Sequence, residues 1–228
     1  MIGHYPLFRE GAAPGLVPKL GGLPWGLPAR LWPVCKECGR PMSHLAQLPA
    51  APPELPLAGG EVLFLFKCEW DSICSFWEPD AGANAAFTVP QSLLDALPAN
   101  PPADAGDGLP AVLPELGVVR WRTQEDGVAP ELEEAFYDYE RYFALPPESA
   151  HPHDWAVPWC TKSGGAPYWT ANGAQRMPPG RLLLQIDNWV ELEGGGTAEV
   201  ANFCSDGIAY VFVDPSQSPQ VYSMFINR

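Results

Sequence analysis

The sequence predicts one loop-rich domain, residues 1–228, built from two related β-rich halves with short helices between them, and three observations carry that reading. First, the chain holds 28 prolines and 22 glycines. Both residues reject helix and strand interiors, so regular elements must be short and turns frequent. Second, 46% hydrophobic residues and 9 tryptophans place the chain among folded proteins rather than disordered ones. Third, three segments recur in the same order. Lys19-Leu20-Gly21-Gly22-Leu23-Pro24-Trp25 returns as Lys162-Ser163-Gly164-Gly165-Ala166-Pro167-Tyr168. Leu45-Ala46-Gln47-Leu48 returns as Leu183-Leu184-Gln185-Ile186, and Val62-Leu63-Phe64-Leu65-Phe66 as Ile208-Ala209-Tyr210-Val211-Phe212. Ordered self-similarity is the mark of an internal duplication. Repeat one is expected at about 19–90, an insertion at about 91–155 and repeat two at about 162–228.

Each Gly-Gly-x-Pro-aromatic unit reads as a rigid reversal, because glycine takes positive φ and the proline fixes its own. A second reading gives the turn's backbone N–H groups and Lys19 or Lys162 an anion to bind. Neither copy is a P-loop, since no Gly-Lys-Ser/Thr follows at the required spacing. Apolar runs at Val62–Phe66, Arg181–Ile186 and Ile208–Val213 read as buried strands, and Val118–Trp121 as a further one. Pro90–Leu97 reads as a short helix ended by Pro98. Pro130–Phe143 reads as a longer one, with Leu132, Phe136, Tyr139 and Phe143 on one face and Glu131, Glu133 and Glu134 at its positive end. Pro98–Gly108, rich in Pro, Ala and Asp, reads as a surface connection.

Cys35-Lys36-Glu37-Cys38-Gly39 is the most specific chemical signal. Two thiolates two residues apart, with a glycine permitting the reversal behind them, form a zinc knuckle. Cys68 and Cys74, just past the Val62–Phe66 strand, are the expected third and fourth ligands of a structural zinc ion, although their gap exceeds the usual spacing. His44 is an alternative fourth ligand, set against its more ordinary reading as a satisfied or exposed histidine. A redox Cys-x-x-Cys would open a helix, which Pro41 does not favour. Cys160 and Cys204 read as buried thiols, and His151-Pro152-His153-Asp154 as a polar loop. The second half lacks cysteines at the matching places, so Trp189, Phe203 and Tyr210 are expected to hold it by packing.

A net charge of −14, from 27 acidic and 13 basic residues, argues against nucleic acid and anionic membranes as partners and permits a basic protein. No apolar run reaches membrane-spanning length, and the stretch after Met1 lacks a signal-peptide core, so a cytoplasmic location with reduced cysteines is expected. Nucleophile elbows, His-Glu-x-x-His and dinucleotide fingerprints do not occur in the sequence.

Taken together, the Lys19–Trp25 turn, Cys35–Gly39 running into Leu45–Leu48, the Phe64–Phe66 strand, Leu183–Asp187 and Asp206–Phe212 resemble the YwqG-like family of bacterial proteins. The chain departs from that pattern at Cys204, where an aromatic residue commonly precedes the Asp-Gly turn. The Cys35/Cys38 and Cys68/Cys74 arrangement is also similar to programmed-cell-death-two zinc proteins. The resemblance implies an α+β fold, predominantly antiparallel β, in a duplicated arrangement, and no established enzyme activity. Two functions follow as expectations. One is a non-catalytic protein-binding module, immunity-like or client-binding, with its acidic surface on a basic protein. The other is a small-molecule binding protein or enzyme with a cleft between the repeats, lined by Lys19, Gln47, Lys162, Gln185 and Asp187.

Overall fold

The computed structural model describes residues 1–70, 73–102, 108–150, 161–169, 178–204, 207–217 and 220–227. Among the described residues twelve strands form: β1 (Ile2–Glu10), β2 (Lys19–Leu20), β3 (Ser43–Pro49), β4 (Glu61–Lys67), β5 (Asn84–Pro90), β6 (Leu116–Glu125), β7 (Lys162–Gly164), β8 (Arg181–Asp187), β9 (Trp189–Glu191), β10 (Thr197–Glu199), β11 (Ile208–Asp214) and β12 (Val221–Asn227). All but β9 and β10 join one ten-stranded sheet in the order β12-β11-β8-β7-β1-β6-β2-β3-β4-β5, and every ladder in it is antiparallel. Its two edge strands, β5 and β12, come back alongside each other, so the sheet is a nearly closed barrel. The remaining pair, β9 and β10, forms a hairpin.

The alternation of side chains along the strands builds two layers. Leu63, Leu65, Leu184, Ile186, Ala209, Val211, Met224 and Ile226 belong to one apolar cluster drawn from both ends of the chain. Their neighbours on the opposite face of the late strands, Tyr210, Phe212 and Phe225, pack instead with Trp169, whose ring stacks on Tyr210 at 4.7 Å between centroids. In the early strands Phe64 and Phe66 stack on Phe87, and Trp32 meets Phe66 edge-on at 5.2 Å. Period two separates these two populations on β11 and β12, and on β8 apart from its bulge at Leu183.

Two expectations change. Pro90–Leu97 is not a helix: only Gln91–Leu93 make a 3-10 turn, and Leu94 is already extended. Eight residues are too few to nucleate a helix unaided, and the backbone is spent elsewhere, Asp95 N–H on the Gly26 carbonyl and Gly26 N–H on the Leu97 carbonyl. Pro130–Phe143 is divided into a 3-10 helix at Pro130–Tyr137 and a short α-helix, α1, at Tyr139–Phe143. Asp138 between them is extended, with φ −138°, and its carboxylate accepts from Arg141 N–H as the N-cap of α1. The expected aromatic stripe therefore breaks: Phe136 is buried, whereas Phe143 is 45% exposed. A second α-helix, α2, covers Pro147–Ala150. The strand expected at Val118–Trp121 forms as part of β6, the longest strand described, which lies at the sheet's centre between β1 and β2. Pro6 is tolerated in β1 because it lies beyond Gly3 and His4, the residues paired with β7. No helix among the described residues is long and apolar enough to cross a membrane.

Candidate metal centre and the two glycine turns

The knuckle folds locally as its residue types require. Cys35 N–H donates to the Arg40 carbonyl at 2.9 Å and Gly39 N–H to the Cys35 carbonyl at 2.9 Å, with Gly39 at φ +73°. A non-glycine residue would be strained there. The second arm leaves the end of β4, where Cys68 N–H donates to the Ala83 carbonyl. Lys67, buried, spans Glu69 Oε1 at 2.8 Å and the Cys68 carbonyl at 3.1 Å, and its ammonium lies 4.4 Å from the centroid of Phe76. Two contacts tie the arms together: Trp70 Nε1 donates to the Pro41 carbonyl, and Ser75 N–H donates to Glu37 Oε2, each at 2.6 Å.

This brings the Sγ atoms of Cys35, Cys38, Cys68 and Cys74 within 4.8 Å of one another, with Cys38 and Cys68 at 3.6 Å. Four thiolates at about 2.3 Å from a tetrahedral ion stand about 3.8 Å apart, so the donor set fits a metal. Three of the four cysteines are buried and Cys38 is half-buried. Burial pushes the Cys68 thiol up to about 11, and Cys74 is raised too, by burial and then by its sulfur neighbours. For Cys35 burial acts upward but is outweighed by the backbone N–H groups of Cys38 and Glu37 and by the Cys38 and Cys68 thiols, so it lies below its ordinary value. A cation among them would reverse the penalty, since ligating thiols lose their protons.

His44 does not join this cluster. Its Nδ1 lies 3.1 Å from the carbonyls of both Gly21 and Gly22, and its ring packs on Phe66. Burial, with the Lys19 charge beside it, lowers His44 to about 4. Cys204 is half-buried with φ +59° and lies outside the cluster. Cys160, His151, His153 and Asp206 lie outside the described residues. Phe203 and Tyr210 are buried as expected, but Trp189 is 40% exposed, and Trp169 takes the packing role assigned to it.

The five residues expected at a cleft occupy two separate places. Lys19 pairs in register with Gln47, and Lys162 with Gln185, but β1 and β6 stand between the two pairs in the sheet. At each place the glutamine side chain holds the turn: Gln47 Oε1 accepts from Trp25 N–H at 2.5 Å, and Gln185 Oε1 from Tyr168 N–H at 3.0 Å. Both lysines are buried and engaged within the chain. Lys19 Nζ donates to the Leu23 carbonyl and pairs with Glu115; Lys162 Nζ pairs with Asp126 Oδ2 at 2.9 Å. Asp126 also accepts from Ala166 N–H and from the Tyr5 hydroxyl, each at 2.6 Å. Asp187 Oδ1 accepts from Trp189 N–H, closing a local turn. The acids were invisible in the sequence because Glu115 and Asp126 bracket β6, far in the chain from the lysines they neutralise. A pair of buried lysines at matching positions was the available signal, since such a charge demands a partner.

No family model matches the chain, and no curated protein matches it.

Proposed function

We propose that this chain is a metal-stapled, non-catalytic binding module whose acidic surface engages a basic protein. The observation that carries the reading is the cysteine cluster. Four convergent thiolates fill a tetrahedral ion's coordination sphere and leave no position for substrate, so an ion there supports structure. The thiolate set and tetrahedral spacing favour zinc. The other conspicuous polar groups, at the two glycine turns, are already matched by partners within the chain. What the 131–148 stretch exposes is mostly acid: Glu131, Asp138, Glu140 and Glu148 are exposed, as are Arg141 and the Phe143 side chain. An exposed aromatic ring within an acidic stretch suits an Arg- or Lys-rich partner.

The two halves are proposed to be duplicated copies, as in the YwqG-like family that the sequence resembles. Supporting this, the register skips one residue in β3, at Leu45, and one in β8, at Leu183, two positions before Gln47 and Gln185. Gln47 opposes Phe64, which opposes Phe87; Gln185 opposes Tyr210, which opposes Phe225. Outward from β1 and β6, the order is β7-β8-β11-β12 on one side and β2-β3-β4-β5 on the other. The first strand of each copy would then be β1 and β6, crossed over to pair with the other copy's turn.

The test is affinity capture from native lysate on immobilised chain at low ionic strength. The reading expects a stoichiometric basic protein, released by salt of about 0.5 M, where screening is short-ranged, and lost with a Glu131→Lys, Asp138→Lys, Glu140→Lys triple variant that keeps its folded circular dichroism. Recovery of no stoichiometric partner, or capture indifferent to both salt and the triple variant, overturns it.

A further inference from the structure

The cysteine cluster sits beside the gap between the two edges of the described sheet. β5 and β12 are the edge strands of the sheet and share no ladder. Toward one end of the seam the Tyr222 side chain of β12 hydrogen-bonds the Thr88 side chain of β5; toward the cysteine cluster a carbonyl and a side-chain amide make the crossing. The Phe76 carbonyl accepts from the backbone N–H of Ile226 in β12 at 3.0 Å and from Asn84 Nδ2 in β5 at 2.6 Å. The same Nδ2 reaches the Met224 carbonyl of β12 at 3.3 Å.

The Phe76 carbonyl and Asn84 both hang from the cysteine cluster. Phe76 lies two residues past Cys74 and donates its N–H to the Cys74 carbonyl at 2.8 Å. Its ring is 4% exposed under the Lys67 ammonium, next to Cys68. Asn84 follows Ala83, whose carbonyl receives Cys68 N–H, and Gly82, whose carbonyl receives Lys36 N–H from inside the knuckle. The described part of the chain between Cys68 and Ala83 has no helix or strand of its own. An irregular segment of that length gains little from its own backbone and loses much entropy on being ordered.

Resting on the reading of the cluster as a metal centre, we infer that metal binding there is the latch of the barrel: it positions the Phe76 carbonyl and Asn84, and these hold β12 against β5. The bound chain is closed. The metal-free chain keeps its β8–β11 ladder but releases β12 from the early strands, and so presents two unpaired strand edges, each a template for pairing with another chain.

Hydrogen exchange tests this on the full chain, with zinc content measured in parallel. Stripping the metal with a chelator is expected to speed exchange in the 221–227 segment at least about tenfold, while the amides of the β8–β11 ladder change less than about twofold, as local opening requires. Asn84→Leu is the second arm, since it removes the side-chain half of the bridge and no ligand: it should keep full zinc and still speed exchange at 221–227. Restoring zinc to the stripped wild-type chain should restore protection, and adding it to Asn84→Leu should not. Verified zinc loss with unchanged 221–227 exchange overturns the latch and leaves the metal centre standing. Equal acceleration of the β8–β11 ladder also overturns it, because the metal would then support the whole fold. A chain that neither retains nor takes up zinc fails the metal reading itself and the latch with it.

Discussion

Replacing Asp126 by alanine strands the Lys162 ammonium in the core. The side chains of that pair are 4% and 7% exposed, so water cannot take over from the lost carboxylate. Removing one partner of a buried pair costs about 3–5 kcal/mol. The Tyr5 hydroxyl and Ala166 N–H lose their acceptor in the same step. The matching turn provides an internal control. Glu115 is 36% exposed and Lys19 retains the Leu23 carbonyl, so Glu115→Ala costs about 1 kcal/mol or less. Urea denaturation followed by tryptophan fluorescence should therefore separate the two variants by at least about 2 kcal/mol, and Asp126→Ala should lower Tm by on the order of 10 °C in a chain of this size. Adding Lys162→Met to Asp126→Ala removes the stranded charge and should recover at least about 1 kcal/mol, a coupling expected of residues in direct contact. If Asp126→Ala costs no more than Glu115→Ala, or the double-mutant cycle has no coupling, burial does not set the energetics of these turns and the reasoning fails.

Further predictions concern the same machinery. His44, lowered to about 4 from 6.5 in the unfolded chain, remains neutral when folded while the unfolded chain binds a proton. Its contribution to stability is thus complete above about pH 6.5 and is lost as pH falls from there toward 4, by about 1.4 kcal/mol per pH unit. His44→Leu should flatten that acid limb of a stability-versus-pH series, and an unchanged slope would refute the assignment. Cys35→Ser should reduce bound zinc in elemental analysis well below one ion per chain; full occupancy would exclude Cys35 as a ligand. Gly21 and Gly11 both have positive φ, but a Cβ on Gly21 would collide with the Pro114 carbonyl whereas one on Gly11 would meet nothing within 4 Å. Gly21→Ala should accordingly cost at least about 1 kcal/mol more than Gly11→Ala in the same denaturation assay; equal costs would place the requirement on φ alone.

The strands most legible in the sequence were the ones with continuous apolar runs, β4, β8 and β11, because burial on both faces leaves that pattern. The four cysteines were legible for a related reason: a tetrahedral site restricts both residue type and local spacing. The helices were misread because Asp138 fits a helix face by position but prefers to cap, and because the 94–97 backbone finds its partner at Gly26. No periodicity encodes either competition. β1 and β6 were the hardest to place, since Pro6, Gly3 and charged residues interrupt any alternation and their pairing partners lie more than a hundred residues away.

Residue chemistry by itself thus determined what each short segment had to be: turns where Gly-Gly-x-Pro recurs, strands where aliphatic and aromatic residues run together, a thiolate knuckle at Cys35–Cys38. Tertiary structure alone decided what those segments do for one another. It assigned Glu115 and Asp126 to the two lysines, turned Gln47 and Gln185 from cleft residues into turn anchors, and placed the cysteine cluster at the seam between β5 and β12. These are contacts between positions distant in the chain, and the free energy that selects them comes from burial and charge neutralisation after the strands have met, which no local pattern of residues records.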